Sequence, residues 1–250
     1  MIIKLKIVII YYIIKSNRMF GITFYYNIFL MGSLTLGFHH VLKTFDIQKH
    51  IYEKFSINMM RSLICGTIAH EAYRNYHYIW MDKCLQNKKI IQIFKDYNDM
   101  FMAYFVIDTI LLWYQVYIRL EKTMRMDLFL HHMLGITVLI IIDYYKLYGI
   151  SLMIGLSEGM SLVTGPKLLS MHFGNKYLTN GFIVFRLLYL IFIRMLFIWP
   201  SLIYFYNNVT ITCDNYKDGR NMPLVIFLVL LIFHAEIGWL NSGRKELARI

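Results

Sequence analysis

Apolar residues gather along this chain into seven runs of about 20 residues each, separated by short polar stretches. The runs cover residues 19–42, 57–77, 100–118, 128–145, 150–171, 181–206 and 222–240. They are apolar on every face rather than on one stripe, which is the pattern of a helix surrounded by lipid or buried on all sides. About 20 apolar residues is also the length a helix needs to cross a hydrocarbon core of about 30 Å. The pattern therefore predicts an all-α integral membrane protein with about seven transmembrane helices. Its connections, such as FDIQKHIYEKF, DKCLQNKKIIQIFKDYND, RLEKTMRMD and HFGNKYLTN, are too short to hold a soluble domain. Any site is then built from the spans themselves.

Composition strengthens that reading. Hydrophobic residues make up 58% of the chain and charged residues only 16%, against about 25% charged in an ordinary soluble domain. Three prolines suit long helices. A β-barrel would show alternating segments of about 10 residues, and none is evident. The net charge of +11 does not point to nucleic acid, because Lys and Arg sit mainly between the apolar runs. Charges at span ends are what topology and anionic headgroups select.

Orientation is left open by the charges, with about eleven Lys and Arg on either side of the membrane, where the positive-inside rule needs an imbalance. The sequon Asn208-Val209-Thr210 is a weak pointer to a lumenal last loop. Cys65, Cys84 and Cys213 form no even set and no metal spacing, so they indicate no redox compartment. The N-terminal MIIKLKIVIIYYIIK lacks a small-residue cleavage site and reads as an anchor or interfacial segment. The letters show no internal repeat.

Ionisable groups at membrane depth cost about 2.5 kcal/mol or more each, so they are functional candidates by default. Asp127-Leu-Phe-Leu-His131-His132 opens the fourth run. At about 100° per residue Asp127 and His131 share a helical face, which predicts a carboxylate orienting an imidazole. The competing reading makes Asp127 interfacial and the histidines helix-bridging groups.

The fifth run carries Glu158 and Ser161 among small residues, followed by Gly165-Pro166, which should kink or break the helix. Arg186 and Arg194, about two turns apart, are the expected partners of Glu158, and the pair alone would serve to pin helices. Asp108 is expected to face a cavity. His70-Glu71-Ala-Tyr-Arg74 begins like a zinc-protease motif but has Arg where the second His belongs, so no metal site is expected.

Taken in order, an Asp in YFVIDTILLW, the acid and paired histidines of DLFLHH, Glu158 with Gly165-Pro166 behind it, and the arginines of FRLLYLIFIRMLFIWP resemble the TLC-domain family, which includes the ceramide synthases. The resemblance implies a six-helix core around a lipid-facing cavity, with one helix before it. It divides the chain into an N-terminal arm and first helix (1–56), a TLC-like domain (57–240) and a short basic tail (241–250). Where the synthases carry a further His-Asp pair, this chain has Glu158-Gly-Met-Ser161 and is more similar to the smaller TLC-domain proteins of membrane phospholipid composition.

The expectation is lipid handling, with membrane lipid as partner, no cofactor and no nucleic acid. The alternative is a lipid acyltransferase, with acyl-CoA as a substrate, or a hydrolase. Either would use His131 and His132 with Asp127, with Asp108, Glu158, Ser161, Arg186 and Arg194 as polar cavity groups. A transporter or receptor is the third possibility. The endoplasmic reticulum or another endomembrane is the expected location, with the plasma membrane as the alternative.

Overall fold

The computed structural model describes residues 22–44, 49–81, 84, 86–117 and 125–212, with 238, 241 and 244. Among them every regular element is helical. Helices α1 (Ile22–Lys43), α2 (Lys49–Met81), α3 (Lys88–Tyr117) and α4 (Met126–Tyr145) come first. Next is α5 (Tyr148–Ser157), which tightens into a 3₁₀ segment (Glu158–Val163) and resumes as α6 (Thr164–His172). Helix α7 (Lys176–Leu188), a π-helical segment (Tyr189–Ile198) and α8 (Trp199–Thr212) follow one another without a gap. The expected seventh run, 222–240, lies almost wholly outside the described residues.

Among the described residues, three helices are long and apolar enough to cross a membrane: Lys88–Tyr117, Met126–Tyr145 and Lys176–Phe205. Two helices reach beyond the runs that announced them. The stretch KKIIQIFKDYND, expected as a loop, is the first three turns of α3. Its Ile90, Phe94 and Tyr97 recur at helical spacing and are all buried, which extends the core face of the helix. Helix α2 likewise starts before residue 57 and buries Phe55, so the boundary drawn after residue 56 falls inside it.

Helix α2 is the central post. It packs against α1, α3, α5, the 3₁₀ segment and α6, while α3 packs against α1, α4 and α5, and the π segment leans on α5. A two-residue link joins α4 to α5. Lys146 takes the left-handed conformation there (φ 56°), and the N–H of Leu147 donates to Ile142 O at 2.9 Å, closing the end of α4. Between α6 and α7 the reversal uses Gly174 (φ 67°), and Asn175 caps α7 by accepting from Leu178 N at 3.0 Å.

The break in α5–α6 has a clear local cause. Ser62 of α2 inserts its hydroxyl into the helical ladder: Ser62 Oγ donates to Ser161 O at 3.1 Å and accepts from Gly165 N at 2.7 Å. A regular helix would pair those two backbone groups directly. Pro166 removes the next donor as well. Close approach is possible because Gly165 has no side chain, since a Cβ there would lie 2.9 Å from Met59 Cα and 3.0 Å from Asn58 O. In α8, Pro200 withholds the N–H that Leu196 O would accept and crowds that carbonyl. The π segment immediately before it is the wider winding that relieves this.

Cys84, in the turn between α2 and α3, is disulfide-bonded, while Cys65 is free and buried in α2. A bonded Cys84 goes beyond the sequence reading, in which the three cysteines indicated no redox compartment.

Candidate functional site

Four helical elements bring ionisable side chains together in the interior, in two linked pairs. In the first, Arg61 of α2 grips Asp108 of α3 with a fork. Its Nη2 donates to Oδ1 at 2.7 Å and its Nε donates to Oδ2 at 2.9 Å. Both side chains are almost removed from solvent, at 12% and 1% exposure. Such bidentate geometry is the strongest form of side-chain pairing and the one arrangement that makes a buried charge tolerable. Arg61 Nη1 also donates to Asn58 Oδ1 at 3.2 Å.

His132 reaches the same carboxylate from α4, with Nε2 3.2 Å from Asp108 Oδ2. A proton on Nε2 would face that carboxylate and would leave Nδ1 as the lone-pair nitrogen. That nitrogen is buried and has no hydrogen-bond partner among the described residues. Tyr104 and Phe105 wall the ring, with centroids 6.3 Å and 5.5 Å away.

The second pair is His131 and Glu158. His131 Nε2 lies 3.8 Å from Glu158 Oε1, too far for a direct hydrogen bond but within the reach of an ion pair when the imidazole is protonated. The thiol of Cys65 approaches the other carboxylate oxygen at 3.9 Å. His131 and Glu158 both border a small cavity, together with Phe105, Gly135, Val138, Leu139, Ile154, Ser157 and Arg194. It has room for about one water molecule and not for an acyl chain. Its wall is apolar apart from His131, Ser157, Glu158 and Arg194.

Glu158 is placed here by the 3₁₀ turn that begins at that residue, and Arg194 by the π segment. Tyr189, the first residue of that segment, donates its hydroxyl to Leu156 O at 2.5 Å and ties the π segment to α5. Both irregular windings thus carry a charged residue of the cavity, where interruptions of regular helix often mark function.

The predicted residues fare unequally. His131, Glu158 and Arg194 line one cavity, and His132 and Asp108 form the adjoining pair. The expectation that Asp127 orients His131 is not met. Asp127 lies in the first turn of α4, half-exposed, and Arg125 next to the helix start captures it at 2.5 Å. The carboxylates that face the imidazoles come instead from other helices. Arg186 is half-buried and outside the cavity lining, because the wider π winding between it and Arg194 changes their relative direction. Ser161 contributes its backbone carbonyl to Ser62 and does not line the cavity.

Arg61 and Ser62 went unnoticed, and Cys65 was read only as one of three cysteines without a metal spacing. Arg61 had a signal in the sequence, being an arginine within an apolar run. Among the described residues no group of three or more His, Cys, Asp or Glu side chains is arranged to hold a metal ion. No family model, curated protein or solved structure matches the chain.

Proposed function

We propose that this chain is a multi-pass membrane protein of lipid handling, and that the buried histidine–carboxylate pairs are its polar site. The observation that carries this reading is the placing of two adjacent histidines against two different acids, Glu158 and Asp108, beside an otherwise apolar cavity in a helical bundle. Charged groups cost too much at that depth to be retained as filler. A lipid headgroup or acyl carbonyl would find donors in Arg194 and the His131 imidazole, and its chain would find the apolar wall formed by Val138, Leu139 and Ile154. The ordered resemblance to the TLC-domain family supports the same reading, with a six-helix core and an endomembrane location as its further implications. Since the cavity is closed to an acyl chain, lipid access in this reading requires Phe105 and its neighbours to move.

A second reading, acyl transfer from acyl-CoA or lipid hydrolysis, is favoured by one feature. The space beside His131 and Glu158 has the size of a single water or small nucleophilic group. There His131 would take the proton from the nucleophile and Glu158 would stabilise the imidazolium.

Photo-crosslinking separates lipid occupancy from mere membrane residence. Membranes containing the full chain are loaded with a fatty acid or phospholipid bearing a diazirine near the carbonyl, irradiated and mapped by peptide mass spectrometry. Adducts on the α4 and α5 residues that line the cavity are expected. Adducts confined to outward-facing residues such as Trp113, Phe192 and Ile203 would remove the support for a lipid site here.

A further inference from the structure

The equal distribution of Lys and Arg leaves the orientation of the chain undecided, but the fold contains a covalent marker. Cys84 is disulfide-bonded in the turn between α2 and α3. The chain has three cysteines, and Cys65 is free and buried within α2. The count leaves Cys213, whose own placement lies outside the described residues but which directly follows Thr212, the last residue of α8. The end of α2 lies against α8. Trp80, four residues before Cys84, packs against Tyr204 and Phe205 of α8 with ring centroids 5.6 Å and 6.1 Å apart.

We infer that Cys84 and Cys213 form an intrachain disulfide, and that this end of the bundle faces an oxidising compartment, either an organelle lumen or the cell exterior. Disulfides form and persist in such compartments and are rare on the cytosolic side. In forming the bond the two thiols lose two protons and two electrons. Both pass by thiol–disulfide exchange to an oxidoreductase of that compartment, whose own disulfide is reduced to a dithiol. The sequon at Asn208 lies at the same end, so a glycan there would report the same side.

The assignment orients the rest of the chain. The α4–α5 link shares the oxidising side, while the Lys49 end of α2, the Tyr117 end of α3 and the α6–α7 reversal face the cytosol. The polar site then lies nearer the cytosolic face. Asp108 is about 14 Å from the Tyr117 end of α3 and about 30 Å from the Lys88 end. His131 is about 8 Å from the Met126 end of α4 and about 21 Å from the Tyr145 end. A charged acyl donor arriving from the cytosol would have the shorter path, although the topology does not depend on that chemistry.

The test uses the full chain in sealed microsomes. Free thiols are counted by the gel shift from a polyethylene-glycol maleimide added after denaturation in SDS. One adduct is expected before reduction and three after. With sealed vesicles, a membrane-impermeant phosphine added outside should leave the count at one; the same reagent after permeabilisation should raise it to three. A second arm uses Cys84→Ser, in which the thiol freed at Cys213 should react with an impermeant maleimide only after permeabilisation. Three adducts without reduction, or a disulfide-linked dimer on a non-reducing gel, would overturn the pairing. Reduction by the phosphine in sealed vesicles would overturn the orientation while leaving the lipid reading untouched.

Discussion

Replacing Asp108 by alanine tests the energetic logic of the site most sharply. In the native chain its carboxylate takes two donors from Arg61 at 2.7 and 2.9 Å and faces His132 Nε2 at 3.2 Å, with 1% of the side chain exposed. Alanine leaves the Arg61 guanidinium enclosed by α2 and α3 with Asn58 Oδ1 as its one remaining side-chain acceptor among the described residues. Breaking a buried pair from one side costs about 3–5 kcal/mol, because the surviving charge is uncompensated. At about 1.4 kcal/mol per decade that is a fall of roughly 150- to 5,000-fold in the folded-to-unfolded ratio.

Removing both charges, with Arg61→Met and Asp108→Leu together, should restore most of the loss, since a buried pair is often replaceable by apolar residues of similar size. The remaining deficit of about 1 kcal/mol belongs to His132, which loses its acceptor. Equilibrium unfolding by SDS in mixed micelles, followed by tryptophan fluorescence of the wild type, Arg61→Met, Asp108→Leu and the double variant, supplies the four corners of the double-mutant cycle. The reasoning is refuted if Asp108→Ala alone costs under about 1 kcal/mol, the range of an exposed pair. The guanidinium would then have another way to reach water or an acceptor.

Three smaller perturbations separate the elements of the account. Ser62→Ala withdraws the hydroxyl that serves both Ser161 O and Gly165 N, and should destabilise the protein by about 1–3 kcal/mol in the same unfolding assay. Gly165→Ala pushes a methyl against the backbone of Met59 and Asn58, which cannot yield as a side-chain tip can, and should cost about 1–3 kcal/mol in the same unfolding assay. Asp127→Asn breaks only the exposed pair with Arg125, so stability should change by no more than about 1 kcal/mol and lipid photo-labelling should stay at the wild-type level.

The membrane character of the chain was legible because it rests on local quantities, namely run length and apolarity on every face. The helical break near Gly165-Pro166 was legible for a similar reason, since proline and glycine act on their own backbone. The inserted hydroxyl of Ser62, 103 residues from Gly165, had no local trace. Asp127 shows how spacing misleads. One turn before His131 is the correct distance for a pair within a helix, but the start of α4 at Met126 puts Asp127 at the half-exposed end, beside a nearer arginine. Two acids named as cavity groups, Asp108 and Glu158, take the role assigned to it, and they meet the histidines only through tertiary packing. The relative directions of Arg186 and Arg194 escaped for another reason: a period of 3.6 residues was assumed across a segment that Pro200 winds more loosely.

The central claim is that the His131–Glu158 and His132–Asp108 pairs form a lipid-handling site. Its most direct test is untargeted lipidomics on membranes expressing the wild type, the double variant His131→Ala/His132→Ala or an empty vector, at matched levels of folded protein. The account predicts a change in one acyl-lipid class with the wild type that is lost with the double variant. An identical lipid profile in all three membranes, or a wild-type change that the double variant reproduces in full, would contradict it.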